Sequence, residues 1–325
     1  MRKSHCCGAT IRRFAERRRQ CCKCLRTWRI RTKKRGRPKH RNGERLVCRV
    51  LLKRRSLTEL AREKGLTRQA MSYRFLRALE RRSTEPAVIA TGDAILLVDG
   101  LWFRFRRRPW VLYLMATRPI NGDTAIFLEP LMLPGPESKT AWLRALETIP
   151  LAHRARIRAL VCDNFVGSRS IAQANNWVLQ LCHFHLIAQL RRRLGYGNLK
   201  TPARLMRQHA YRLIRTALDT PNEAQVDSIT FTLKQLVREA IGARRYANLV
   251  RQFLRRLSDY RAYQRHPQLR LPKTTGSAES MGRVLRDLTR RTRGISSPTA
   301  LQLWMKHYIE LRPQISCKAA DLSTN

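Results

Sequence analysis

Two aspartates stand directly after apolar runs in a chain that has only 22 acidic residues. Asp99 follows residues 94–98, and Asp163 follows residues 157–162. Each run predicts a buried strand that ends in a carboxylate, and the carboxyl ends of strands are where open α/β sheets place their ligands. Carboxylates grouped there can hold Mg²⁺ or Mn²⁺, which serve phosphoryl transfer. Either aspartate alone is better explained as a turn residue that closes a strand, but the pair favours a metal site.

The elements around these aspartates predict the fold class. Short strands and helices alternate in the pattern βββαβαβ over residues 94–105, 110–117, 125–133, 138–148, 157–162, 168–175 and 178–182. Three consecutive strands favour an antiparallel meander, and the crossover helices that follow favour a mixed sheet. We therefore expect an α/β fold with the layout of ribonuclease H. A basic helical insertion follows over about 190–265. A last helix, with Ser277 as its expected N-cap, contains Glu279 and ends at about Arg293.

The charge of the chain indicates its partner. Lys and Arg total 67 against 22 Asp and Glu, a formal net charge of +45. Such a field is neutralised by the phosphates of nucleic acid. No run approaches the roughly 18 apolar residues of a membrane span, and the first residues lack the apolar core of a signal peptide. We expect a cytoplasmic, nucleoid-associated protein with no membrane partner.

The first 32 residues contain five of the nine cysteines. Cys21 and Cys24 have the Cys-x-x-Cys spacing of a zinc knuckle, and Cys6 and Cys7 lie upstream. Together they predict a zinc ribbon, whose Zn²⁺ would supply folding energy that so small a module lacks. A regular first knuckle would have cysteine where Ser4 stands, so the fourth ligand is Cys6 or His5. A ribbon without metal is the alternative.

Residues 33–44 are rich in Lys, Arg, Gly and Pro and predict an extended linker. Its Gly-Arg-Pro core resembles an AT-hook, in which Arg35 and Arg37 would follow the minor groove of A·T-rich DNA. A plain charged linker is the alternative.

Residues 45–85 predict a helix-turn-helix. Ser56 and Thr67 are good N-caps on either side of a glycine turn, and apolar residues recur on one face of each helix. The second helix would reach the major groove of double-stranded DNA with residues near its start. These are Thr67, Arg68, Gln69, Ser72 and Tyr73. A generic helical hairpin is the alternative.

Three runs carry a resemblance to a known family. They are Val98-Asp-Gly-Leu-Trp-Phe103, then Cys162-Asp-Asn164 followed by Leu181-Cys-His-Phe-His185, and Thr274-Thr-Gly-Ser-Ala-Glu279-Ser280. In this order they resemble the Mutator-type bacterial insertion-sequence transposases, over about 93–310. The resemblance implies that Asp99, Asp163 and Glu279 are a metal-binding DDE triad and that Cys182 and His185 are the family's signature pair. The Asn164-Phe165 that follows the second aspartate departs from the family, which usually has a small residue such as glycine there.

The sequence therefore predicts four segments: a zinc ribbon (1–32), a basic linker (33–44), a helix-turn-helix (45–85) and a catalytic domain (90–325). The resemblance implies cleavage at the ends of a mobile element, transfer to target DNA, and a homodimer or larger assembly. The alternatives are a non-catalytic DNA-binding protein, either a regulator or an inactivated transposase, and an RNA-binding protein. Cys182 and His185 alone cannot complete a tetrahedral zinc site, so a structural or substrate-contacting role is expected for them, with plain core packing at the strand end as the alternative.

Overall fold

The computed structural model describes residues 11–15, 18–29, 39–82, 92–194, 202–238, 244–292, 295 and 297–320. The chain divides into two compact units, Met1–Leu46 and Val47–Asn325. Across the described residues the fold is mixed α/β, as the sequence predicted.

The first unit contains a small antiparallel sheet. Its strands are β1 (Ile11–Ala15), β2 (Arg18–Cys21) and β3 (Thr27–Arg29), paired in the order β1-β2-β3. Helix α1 (Lys39–Leu51) begins in this unit. The extended linker was expected to reach residue 44. Its predicted end was wrong, because helix α1 already starts at Lys39.

Two short helices follow, α2 (Leu57–Glu63) and α3 (Arg68–Glu80). Both predicted N-caps are confirmed: Ser56 accepts from the Glu59 amide in a reciprocal capping box, and Thr67 accepts from the Ala70 amide. The apolar face of α3 is buried, and the ring of Phe75 packs edge-on against Trp304 at a centroid distance of 4.6 Å. The two helices therefore belong to the same compact unit as the large sheet.

A seven-stranded mixed sheet forms the centre of the second unit. Its strands are β4 (Ala94–Phe105), β5 (Arg108–Pro119), β6 (Thr124–Phe127), β7 (Leu131–Pro134), β8 (Ile157–Cys162), β9 (Val178–Leu181) and β10 (Gln314–Ser316). The order is β10-β6-β5-β4-β8-β9, and β7 pairs with β5. Strands β4, β8 and β9 are parallel, whereas β5 is antiparallel to β4, β6 and β7. The mixed sheet is therefore confirmed.

Helices connect these strands and continue beyond them. They are α4 (Lys139–Glu147), α5 (Leu151–Arg154), α6 (Ser168–Ala174), α7 (His183–Arg193), α8 (Pro202–Asp219), α9 (Glu223–Arg238), α10 (Arg244–Arg255), α11 (Leu257–Tyr260), α12 (Ala262–Arg265), α13 (Gly276–Thr292) and α14 (Pro298–Leu311). A 3-10 turn (Pro267–Leu269) precedes α13. The described residues between 190 and 265 are thus largely helical, as expected.

Three local predictions were wrong. The single strand expected over 125–133 is two strands, β6 and β7, which both pair with β5 at different places because the chain bends between them. Helix α13 starts at Gly276 rather than after Ser277, and the Ser277 hydroxyl donates to the Ser316 carbonyl instead of capping the helix. Nor is α13 the last helix, since α14 and β10 follow it.

Two buried polar side chains hold the end of the helical insertion, one to the sheet and the other to helix α8. Gln180 on β9 is fully buried, and its amide nitrogen donates to the Tyr260 carbonyl at 3.0 Å. Its amide oxygen accepts from the Tyr263 amide at 2.8 Å. Arg261 is also fully buried and donates to the carbonyls of Ala217 and Thr220 at the end of α8. These contacts fix where the chain leaves the insertion on its way to α13.

Candidate metal and catalytic site

Asp99 lies within the long strand β4, opposite Leu114 of β5. Only 8% of the residue is exposed, and the structure gives its carboxylate no hydrogen-bond donor among the described residues. Burial above all, and the nearby carboxylates of Asp163 and Glu279, raise the pKa of Asp99 to about 6 against the opposing charges of His185 and Arg286. A bound cation would stabilise this buried carboxylate, which has no hydrogen-bond donor and lies near two other carboxylates.

Asp163 follows β8, the parallel neighbour of β4, so the two aspartates come to the same part of the sheet. Its Oδ1 atom is buried without a hydrogen-bond partner. Burial raises the pKa of Asp163, and Glu279 also raises it, while His185 and a backbone hydrogen bond from Phe165 oppose the rise. The strand-end expectation for this residue is thus confirmed, whereas Asp99 lies inside a strand that continues to Phe105.

Glu279 reaches the aspartates from the first turn of α13. The segment before this helix is held to the end of β9, because the His183 amide donates to the Lys273 carbonyl at 3.0 Å. Helix α13 also lies very close to β4: a Cβ on Gly282 would be 2.7 Å from Leu101 Cδ2. Glycine at this position therefore lets the helix approach the strand that carries Asp99.

Cys182 and His185 lie beside Glu279. The Cys182 thiol donates to Glu279 Oε1 at 3.6 Å, and His185 Nδ1 is 3.4 Å from the same oxygen. Burial alone would lower the pKa of His185, but the Cys182 sulfur and the carboxylates of Asp163 and Glu279 raise it to about 9. Thr275 completes the group, with its hydroxyl 3.0 Å from Glu279 Oε1. Both members of the predicted signature pair therefore contact an acidic residue of the site.

Glu137 is a fourth acidic residue at the site, and sequence reasoning missed it. Its Oε1 accepts from the Trp142 indole nitrogen at 2.8 Å, and a Cβ on Gly100 would lie 2.9 Å from that oxygen. Burial raises the pKa of Glu137 to about 7, with further contributions from Asp163 and Asp99. An available signal was its place just after a Pro-Gly-Pro turn at the end of a strand, beside the N-cap Ser138.

The residues predicted to read DNA lie at the exposed start of α3. Arg68, Gln69 and Tyr73 are exposed and Ser72 is half-buried. Tyr73 is 64% exposed, and the Arg77 guanidinium lies 5.8 Å from its ring centroid. Thr67 is exposed too, but its hydroxyl oxygen is used to cap the helix.

The remaining predicted sites are described only in part. Cys21 ends β2 and is buried, and Cys24 lies in the turn that leads to β3. The predicted zinc ligands Cys6 and Cys7 lie outside the described residues, as do Arg35 and Arg37 of the basic linker.

Comparison of the chain with protein-family models gives no match, and comparison with curated proteins gives none either. Within the described residues, no helix combines the length and the apolar character needed to cross a membrane. What the site can do must therefore be argued from its own chemistry.

Proposed function

We propose that this chain is a DNA transposase of the Mutator type, which cuts DNA at the ends of a mobile element and joins them to target DNA. The observation that carries the proposal is the convergence of three carboxylates. Asp99, Asp163 and Glu279 come from β4, the end of β8 and α13, and they influence one another's charge. Along the chain 64 residues separate Asp99 from Asp163, and 116 separate Asp163 from Glu279, so only the fold can bring them together.

The fold is in keeping with this proposal. An antiparallel meander of β4, β5 and β6 is followed by β8 and β9, which are added in parallel through crossover helices. This is the layout expected of a ribonuclease H-like domain. The helices from α8 to α12 would then be the insertion between the second aspartate and the glutamate.

The chemistry of the donor set fits Mg²⁺ or Mn²⁺. Both ions prefer carboxylate oxygens, and the site offers the unpartnered oxygens of Asp99 and the buried Oδ1 of Asp163. Of two such metal ions, Asp99 and Asp163 would bind both, and Glu279 would bind the second. Such ions, when bound, would activate an attacking water or 3′-hydroxyl and stabilise the leaving oxygen.

The protein's own residues would bind the DNA. The net charge of +45 supplies the attraction for phosphates. The tip of the β4–β5 hairpin, which extends the strand that carries Asp99, adds exposed basic residues, since Arg104, Arg106, Arg107 and Arg108 are all exposed. Trp102, on the same hairpin, is 51% exposed and offers a flat surface for stacking on bases.

Two smaller DNA-binding modules belong to the proposal. The strands β1 to β3 with Cys21 and Cys24 would form a zinc ribbon, with the remaining ligands among Cys6, Cys7 and His5. Helices α2 and α3 would form a helix-turn-helix that recognises the element ends. A homodimer or larger assembly would hold two ends together.

The test is cleavage of duplex DNA that carries the element's own ends, in Mg²⁺ or Mn²⁺. Asp163→Asn keeps the shape of the side chain and removes its charge, so we expect unchanged DNA binding and cleavage slower by about 10³-fold or more, since metal catalysis contributes several kcal/mol. Asp227→Asn, on the exposed face of α9, is the control with the same charge change and should cut normally. If the wild type binds DNA but does not cut it, the enzymatic proposal is wrong and the chain is a non-catalytic DNA-binding protein.

A further inference from the structure

We propose that Cys182, His185 and Glu279 form a binding site for a thiophilic divalent cation such as Zn²⁺. One ligand atom from each residue lies within 4.8 Å of the other two. The proposal concerns a different kind of metal from the Mg²⁺ or Mn²⁺ considered above, and it does not depend on the transposase proposal.

The spacing of the ligand atoms fits one tetrahedral ion. With Zn–S of about 2.3 Å, Zn–N and Zn–O of about 2.0 Å and angles of about 109°, the S···O and N···O separations should be about 3.5 and 3.3 Å. The structure gives 3.6 Å for Cys182 Sγ to Glu279 Oε1 and 3.4 Å for His185 Nδ1 to the same oxygen. Two of the three separations thus match those around a zinc ion, and the third pair, Cys182 and His185, has its ligand atoms within 4.8 Å.

The surroundings support the same assignment. The Thr275 amide nitrogen is 3.3 Å from Cys182 Sγ, and an N–H donor of this kind stabilises a thiolate. The Thr275 hydroxyl lies 3.3 Å from the sulfur and 3.0 Å from Glu279 Oε1, so one residue orients two ligands. His185 Nδ1 is buried and has no hydrogen-bond partner despite its proximity to Glu279, so a metal ion that displaces its proton can bind there.

The donor set selects the class of cation. Thiolate and imidazole favour Zn²⁺ and similar ions, whereas Mg²⁺ prefers oxygen ligands alone. Three protein ligands leave a fourth position open, as in catalytic rather than structural zinc sites. Cys182 is 1% exposed, whereas the side chains of His185 and Glu279 are 29% and 20% exposed, so the open position faces solvent.

The experiment uses the full chain, reduced and stripped of metal, and titrates it with Co²⁺ as a spectroscopic substitute for Zn²⁺. Thiolate ligation of Co²⁺ gives a near-ultraviolet charge-transfer band. Because Cys21 and Cys24 could contribute to that band in every variant, the measured quantity is the difference between the wild type and Cys182→Ser. Cys48→Ser, a half-buried cysteine of α1, is the matched control.

We expect Cys182→Ser to lose one bound metal ion and its share of the band, and Cys48→Ser to lose neither. Identical spectra for the wild type and a folded Cys182→Ser would overturn the proposal. If circular dichroism shows that Cys182→Ser is unfolded, His185→Gln decides, because it keeps the thiol: we expect its Zn²⁺ affinity in chelator competition to fall at least about tenfold, and an unchanged affinity and stoichiometry would refute the site.

Asp163→Asn separates this proposal from the transposase proposal. It should retain the Co²⁺ band of the wild type, because Asp163 is not among the three ligands. A chain that binds Co²⁺ at Cys182 but never cuts DNA would refute only the transposase, and a chain that cuts DNA with the same spectrum in Cys182→Ser would refute only the thiophilic site.

Discussion

Replacing Arg106 and Arg107 by Asn and Gly should make the protein more stable and weaken its binding to DNA. These two residues form the whole turn between β4 and β5, since Phe105 pairs with Arg108. Both have a positive φ, 49° and 66°. Two-residue turns of this kind strongly favour Asn-Gly, and arginine carries the steric cost of its Cβ there.

The gain in stability follows from that cost. A non-glycine residue in the left-handed region loses on the order of 1 kcal/mol, so relief at two positions amounts to about 1–2 kcal/mol. Each kcal/mol raises the melting temperature by about 2–4 °C in a domain of 150–250 residues. Thermal unfolding should therefore show a clear rise for the Asn-Gly variant.

The loss in DNA affinity is set by counterion release. Each phosphate contact contributes about 0.9 to the slope of log affinity against log salt, so two lost contacts lower that slope by about 2. Fluorescence anisotropy with a labelled duplex at several salt concentrations measures it. The Lys-Lys variant of the same turn keeps both charges and the backbone strain, and it should match the wild type in slope and in melting temperature.

Two results would refute the reasoning separately. An Asn-Gly variant with the wild-type salt slope would show that the hairpin tip does not touch phosphate. A variant with no gain in melting temperature would show that the turn is not strained. Both effects together would mean that the arginines are kept for binding at the expense of stability.

Gly282→Ala should destabilise the protein by about 1–3 kcal/mol in urea unfolding, because the added Cβ would overlap Leu101. Alanine normally favours a helix over glycine, so a stabilised variant would contradict the close packing of α13 on β4. Arg261→Met should cost about 2–4 kcal/mol in the same assay, since it leaves the carbonyls of Ala217 and Thr220 without the donors of a fully buried guanidinium, and a loss below 1 kcal/mol would be inconsistent with that role. His153 is buried with both ring nitrogens unpartnered, and burial lowers its pKa below the ordinary 6.5. As the pH falls below 6.5, His153 is protonated in the unfolded chain but not in the folded chain, so the free energy of unfolding decreases. His153→Leu should therefore lose less stability than the wild type between pH 7.5 and 5.5. An equal drop in both proteins would exclude His153 as a source.

The sequence predicted the elements whose signals are local. The run before Asp163 was bounded correctly because β-branched and apolar residues end abruptly at a charged one. Ser56 and Thr67 were recognised as N-caps because capping depends on residues three positions away. The split of the third strand into β6 and β7 was missed, since both halves are apolar and only the pairing with β5 separates them.

The same difference between local and long-range signals decides which residues of the candidate site were predicted. Asp99 and Asp163 were found because each follows an apolar strand core, and Glu279 was added only through resemblance. Glu137 was missed, because its approach depends on how close the β7–α4 connection comes to Gly100 and on a hydrogen bond from Trp142. Long-range packing of this kind leaves no periodic trace in a sequence.

Glu279 is the residue where the two proposed metal sites would meet. All of its described polar contacts, with Cys182, His185 and Thr275, use Oε1. A carboxylate has a second oxygen, so Oε2 can serve a hard cation while Oε1 serves a soft one. Glu279→Gln should therefore weaken both Zn²⁺ binding and Mg²⁺-dependent cleavage, whereas Cys182→Ser should weaken the first far more than the second. If Cys182→Ser abolished cleavage as completely as Asp163→Asn while its DNA binding stayed intact, the soft site would be part of the catalytic centre rather than its neighbour.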